Sequence, residues 1–247
     1  TVFAVTGAFM LVGNALTLSI QEPQRSELHP TTLACSVTEP FREFISRQGV
    51  RQAGLILLFI LMYKLGDSMA TALATPFYLD MGFSKTEIGS VAKFAALVPM
   101  IVGGMLGGIL MVKIGINRAL WLFGAVQIVS ILGFALMARV GEGLWLLAMV
   151  IGFEYLGVGL GTAAFIAFIF RVTNPAFAAT QLALFTAITA VPRTLASSVT
   201  GVIVENLGWE NFFYLCTLLA IPGMLLLLKV APWHEENSKT VNSESPV

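Results

Sequence analysis

Residues 144–170 read LWLLAMVIGFEYLGVGLGTAAFIAFIF, twenty-seven positions of which one, Glu154, is charged. An α-helix needs about 20 apolar residues to cross a hydrocarbon core, so this stretch can span a membrane. Lipid offers no partner to an unpaired amide or carbonyl, so a spanning segment of this kind must be helical. Six other stretches read the same way: Val2–Ile20, Ala53–Leu79, Ile88–Val112, Arg118–Ala138, Ala176–Ile203 and Asn211–Leu228. The first has no basic flank and runs too long for the apolar region of a signal peptide. The predicted fold class is therefore all-α, a polytopic membrane helix bundle of seven spans.

Composition agrees. The 247 residues are 57% hydrophobic and 11% charged, less than half of the roughly 25% charge of a soluble domain. Fourteen basic residues balance fourteen acidic ones, which leaves no basic footprint for nucleic acid. Two cysteines and two histidines make neither a disulfide framework nor a histidine metal site, and no cofactor is expected. The chain carries no H-E-x-x-H and no G-x-S-x-G, and both His29 and His234 fall outside the spans. Those features argue against an intramembrane enzyme.

The basic residues orient the spans. Arg25, Arg42, Arg47, Arg51, Lys113, Arg118, Arg171, Lys229 and Lys239 fall on one side, and only Lys85 and Arg139 on the other. Basic residues collect on the cytoplasmic side, so the long loop and the C-terminus are expected there. Four segments result: 1–20, one helix; 21–52, a cytoplasmic loop; 53–232, six spans; and 233–247, a polar tail expected to be disordered. One span, a long loop and then six spans fits the second half of a six-plus-six transporter, preceded by the last helix of the first half. The first residue is Thr1, already inside an apolar run. The expectation is a chain that begins partway through a larger protein, whose other half would be its partner along with the lipid bilayer. A scaffolding fragment is the competing reading. Within the loop, Glu39–Gln48 reads either as an interfacial helix with Phe41, Phe44 and Ile45 on one face or as a solvated linker.

Five charges lie inside spans: Lys64, Asp67, Lys93, Glu154 and Arg193. Each costs about 2.5–3.5 kcal/mol at a helix centre, so such groups pair or face a wet cavity and mark functional sites. Lys64 and Asp67 are three apart and share a helix face. They read as a structural ion pair or as a cavity-facing pair that binds solute or couples protons, with Tyr63 and Thr71 nearby. Burial disfavours the charged form of a carboxylate, which makes Glu154 the first candidate for a proton switch and Asp67 the second. Arg193, beside Pro192, is the expected counter-charge for Glu154 or for an anionic solute. Lys93 lies nearer a span end and can snorkel. Asn14, Gln127, Thr162, Thr180, Gln181 and Thr189 are weaker polar candidates, and of these Gln181 is grouped with Tyr63, Lys64, Lys93 and Arg193 as a solute contact.

Two overlapping G-x-x-x-G spacings at Gly103–Gly108 and a third at Gly157–Gly161 predict close helix packing. The run continues as GILMVKIGINR (108–118), which resembles a degenerate form of the loop signature G-x-L-a-D-r-x-G-r-k of the major facilitator superfamily. Gly108, Leu110, Lys113 and Gly115 match, but Val112 stands where the aspartate belongs, so that residue's charge-relay role does not carry over. The stretch from Leu57 to Leu227 is similar to the C-terminal half of AmpG-type muropeptide permeases of that superfamily. The similarity rests on YKLGDSMA (63–70), LDMGFSKTEIGSVAK (79–93), GGILM (107–111), FEYLGVGLGTAAFIA (153–167) and ATQLALFTAITAVPR (179–193). These segments carry all five buried charges. The resemblance implies a six-helix half of a transporter that imports N-acetylglucosaminyl-1,6-anhydro-N-acetylmuramyl peptides across the bacterial inner membrane with protons. It implies muropeptide carboxylates near Arg193 and the lysines, and sugar rings near Tyr63, Phe153 or Tyr155. Acetyl-CoA-transporter-like or other organic anion carriers of the same superfamily are the nearest alternative.

Overall fold

The computed structural model describes residues 2–19, 33–141 and 143–233. Most of the loop expected at 21–52 before residue 33, and the tail from residue 234, lie outside the described residues. Two compact units emerge, residues 1–38 and 39–247. The first contains α1 (Val2–Ser19), a helix without a charge, and the start of α2 (Leu33–Gln48).

The second unit is an up-and-down helical array. It runs through α3 (Val50–Tyr63), α4 (Leu65–Ala72), α5 (Ala74–Asp80), a single turn α6 (Lys85–Glu87), a π segment Ile88–Ala92, α7 (Lys93–Ile114), α8 (Ile116–Val140), α9 (Leu144–Val172), a 3-10 turn Pro175–Phe177 and α10 (Ala178–Val230). Five stretches among the described residues are long and apolar enough to cross a membrane: Val50–Asp80, Lys85–Ile114, Ile116–Val140, Leu144–Val172 and Pro175–Val230. The last, of 56 residues, would measure about 84 Å if straight, far more than one crossing of a core about 30 Å thick. It turns at Gly208, whose φ of 75° and ψ of 166° only glycine adopts without strain. The two sequence-predicted spans Ala176–Ile203 and Asn211–Leu228 are its two limbs.

The expected span Ala53–Leu79 starts earlier, at Val50, and is not one helix. It breaks at Lys64 (φ −99°, ψ 1°) and again at Leu73 (φ −107°, ψ 15°). Lys64 is midway along the 31-residue stretch. The Glu39–Gln48 alternative resolves to helix, but its apolar face is turned inward. Phe44 is buried edge-on against Phe185 at 5.1 Å, and Ile45 packs on the same cluster. The α2 face is thus seated on protein.

Contacts place the chain ends of the helices. Gln52 Nε2 donates to the Lys229 carbonyl at 3.3 Å, Asn117 Nδ2 to the Pro232 carbonyl at 3.0 Å, and Arg47 Nη2 to the Val172 carbonyl at 2.7 Å. One end of the bundle therefore gathers Arg47, Arg51, Lys113, Arg118, Arg171 and Lys229. At the other end Trp209 Nε1 donates to Asp80 Oδ2 at 3.1 Å, beside the Gly208 turn.

The core divides into two clusters. The one toward the basic end includes Phe59, Ile60, Tyr63, Leu120, Phe165, Phe168 and Leu227. The other includes Met69, Phe77, Ile131, Phe134, Leu147, Phe212 and Phe213. On α8 the gap between them is occupied by Gln127 and Ser130, and on α9 by Glu154. Between α7 and α9 the packing is close. A Cβ added at Gly103 would collide with the Leu156 carbonyl, one at Gly159 with the Met100 carbonyl, and one at Gly107 would lie 3.1 Å from the Ala163 Cβ. Gly104 and Gly108 face open space, so one of the two overlapping spacings makes the seam. The opposite face of α7 exposes Phe94, Leu97, Ile101, Met105, Ile109 and Val112, an apolar stripe suited to lipid or another helix.

Candidate transport site

The site begins with the helix break. Interrupting the helix at Lys64 places Asp67 in the first turn of α4, where a negative charge meets the positive end of the helix dipole. Non-helical backbone at membrane depth is tolerated where it is buried in protein or lines a cavity, and broken helices at the membrane midplane are a mark of transporter sites. The break therefore coincides with the chemistry.

Lys64 Nζ lies 3.4 Å from Asp67 Oδ2 and donates to Thr162 Oγ1 of α9 at 3.1 Å. The pair is mostly buried, with the two side chains 12% and 13% exposed. Glu154 is fully buried one helical face away on α9. Its carboxyl group lies within the electrostatic fields of Asp67 and Lys64. Ser130 of α8 makes a short hydrogen bond to Glu154 Oε2. Asp67 Oδ1, Glu154 Oε1 and Gln127 Nε2 are buried without a hydrogen-bond partner. A cavity of about 10 Å³ lies alongside, lined by Tyr63, Asp67, Gly124, Gln127 and Met224 among others. That is about the volume one water requires.

Three of the sequence-predicted residues thus come together: Lys64, Asp67 and Glu154. Thr162 joins them. Ser130 was not among the candidates, because a lone serine in an apolar helix usually hydrogen-bonds back to its own backbone. Its spacing from Gln127, one turn away on the same face, was the available signal.

Other predicted residues are placed elsewhere. Tyr63 is buried, with its hydroxyl donating to the Leu120 carbonyl at 3.1 Å and its ring stacked on Phe165 at 5.4 Å. Both its polar tip and one ring face are occupied, although the residue also lines the small cavity beside Asp67. Gln181 also lies apart from the charged group. It sits at the basic end, where its amide nitrogen donates to the Pro40 carbonyl at 2.9 Å and to Glu43 Oε2 at 2.8 Å, and its oxygen accepts from the Asn174 amide at 2.7 Å. Arg193 is exposed beside Pro192 on α10, and its charge acts on Tyr155. The positive charge of Lys64 acts on Glu154. Lys93 is exposed at the start of α7, just past the π segment. Phe153 lines an outward-facing apolar groove with Pro99, Leu136 and Met149, away from the charged group.

Comparison with known proteins agrees with this architecture. The profile of the Major Facilitator Superfamily matches residues 1–197. An uncharacterised protein of Haemophilus influenzae is 47% identical over 249 residues, covering 97% of this chain and 59% of that protein. The anhydromuropeptide permease of Escherichia coli is 40% identical over 213 residues, covering 86% of this chain and 43% of the permease. A putative AmpG transporter of Rickettsia prowazekii is 36% identical over 176 residues, covering 71% of this chain and 40% of that protein. The chain spans about half the length of the curated relatives it matches. With the profile spanning most of the chain, and with the helical bundle and its buried charges as described, the chain belongs to the major facilitator superfamily.

Proposed function

We propose that this chain forms one half of a proton-coupled importer of anhydromuropeptides in the bacterial inner membrane, with its basic end cytoplasmic, serving peptidoglycan recycling. The substrate follows from the similarity to the permease of Escherichia coli. The driving force is supported by one observation, the buried group of Lys64, Asp67 and Glu154. One ammonium stands against two carboxyls that act on each other, and of these Glu154 is fully buried. In this reading the two carboxyls act together as the group that takes up and gives up the transported proton. Releasing that proton requires either contact with water or a compensating change at Lys64, and alternating access supplies the first.

In this reading Asp67 and Glu154 carry the proton. Lys64, drawn from Asp67 toward a muropeptide carboxylate, links substrate to proton, and the exposed Arg193 and Lys93 supply further cationic contacts. Alternating access needs two halves around a shared site, so uptake belongs to the full-length transporter.

The test is uptake of radiolabelled anhydromuropeptide into proteoliposomes that carry the full-length transporter. An imposed gradient of about 1 pH unit supports about tenfold accumulation for a one-proton symporter. Glu154→Gln, which fixes the neutral form, should abolish that accumulation while leaving exchange of labelled for unlabelled substrate intact. Undiminished accumulation by this variant would remove Glu154 from proton coupling.

A further inference from the structure

Ser130 is fully buried on α8. Its hydroxyl reaches two acceptors at once, the Gln127 carbonyl at 2.8 Å and Glu154 Oε2. A hydroxyl has one proton to donate and lone pairs with which to accept, so it can satisfy Glu154 in two different ways. When Glu154 is ionised, Ser130 donates to Oε2. When Glu154 carries a proton on Oε2, that proton is donated to Ser130 Oγ, and the serine turns its own proton to the Gln127 carbonyl. Neither arrangement moves the backbone. Gly157 faces the serine from α9, and a Cβ there would come within 3.3 Å of Ser130 Oγ, so the glycine leaves the hydroxyl room to turn.

We infer that Ser130 is a positioning residue that keeps Glu154 hydrogen-bonded in both of its protonation states and thereby makes its proton exchange reversible. This rests on the proton-coupled reading above. The other groups that act on Glu154 do not duplicate the role. Asp67 acts on it through its charge, and Lys64 is held by Asp67 and Thr162. Tyr78 of α5, Tyr155 beside Glu154 and Cys216 of α10 lie within the field of its charge. Among the described residues, Ser130 supplies the hydroxyl hydrogen bond to Glu154.

The experiment compares wild type, Ser130→Ala, Ser130→Cys and Glu154→Gln in the full-length transporter in proteoliposomes. Cysteine keeps the volume of serine but offers only a weak donor. Gradient-driven accumulation is read against pH, and substrate exchange is read at equal pH on both sides. A lost hydrogen bond to a charged group corresponds to about a tenfold change in equilibrium. Both serine variants should therefore keep exchange, lose about tenfold in gradient-driven uptake, and move the midpoint of the pH profile by about one unit. If Ser130→Cys behaves as wild type, serine's role is to fill volume and the inference falls. If both serine variants keep the wild-type profile while Glu154→Gln loses accumulation, the inference also falls and the proton-coupled reading stands. If Glu154→Gln itself accumulates substrate, both fall together.

Discussion

Two polar clusters are built into this bundle, and they differ in how completely they are satisfied. At the basic end Glu43 Oε1 accepts from Arg47 Nε at 2.9 Å and from Asn174 Nδ2 at 2.7 Å, and Oε2 accepts from Gln181 Nε2 at 2.8 Å. Gln181 and Arg47 then reach backbone groups at Pro40, Asn174 and Val172. In that cluster every carboxylate and amide oxygen named has a donor. At mid-bundle, by contrast, Asp67 Oδ1, Glu154 Oε1 and Gln127 Nε2 are buried and unpartnered. A fully satisfied network rigidifies the structure around it, while leaving buried polar groups unpaired costs stability. The first cluster is a clamp holding α2 to the turn between α9 and α10. The second accepts an energetic penalty in exchange for groups that can change partners.

That contrast is tested hardest at Lys64. Removing one partner from a buried ion pair leaves an uncompensated charge and costs about 3–5 kcal/mol. Lys64→Met should lower the thermal unfolding midpoint of the full-length protein in detergent sharply, and Asp67→Asn added to it should restore most of the loss. The double-mutant cycle isolates the pair because the neutral amide no longer needs the ammonium. Additive losses in the double variant would mean that the two side chains act independently, and the mid-bundle cluster would then not be a coupled unit.

The difference between the clusters also explains what the sequence revealed. Lys64, Asp67 and Glu154 were legible because charge inside an apolar run is improbable without a role. The spans themselves were legible for the same reason of composition. The break at Lys64 was not, since nothing in LMYKLGDSM disfavours a helix strongly enough to mark an interruption. The placing of Glu154 in the fields of Asp67 and Lys64 depends on how helices pack, which periodicity along one helix does not encode. The surroundings of Gln181 were not legible, because an amide in an apolar stretch looks alike whether it faces a solute or a neighbouring helix. Its partner Glu43 sits 138 positions away, in a loop read either as a linker or as a helix at the lipid surface.

The clamp should respond less, and differently. Glu43→Gln replaces an acceptor of three donors with a group that brings donors of its own, and a hydrogen bond to a charged group contributes about 1.5–3 kcal/mol. Hydrogen exchange, corrected for intrinsic rates, should then show lost protection in residues 40–48 while the amides of α8 and α9 near Ser130 and Glu154 keep theirs. Equal loss in both regions would mean that α2 holds the whole bundle together rather than one corner of it.

The smallest effect is the pH dependence of that same clamp. Burial opposes the Glu43 charge, but hydrogen bonds from Asn174, Gln181 and Arg47, with the Arg47 charge, outweigh it and hold the carboxyl below its ordinary value of 4.5. The folded form therefore binds its proton less readily than the unfolded one, and the stabilisation is fully present above about pH 4.5 and is lost as pH falls through the lower folded value. Protection of residues 40–48 in the wild type should decline on acidification below about pH 4.5. In Glu43→Gln, which has no proton to gain at that position, the difference from wild type should shrink over the same interval. A gap between the two proteins that stays constant down to pH 3 would show that the carboxylate's charge contributes nothing to the clamp, and that shape alone seats α2.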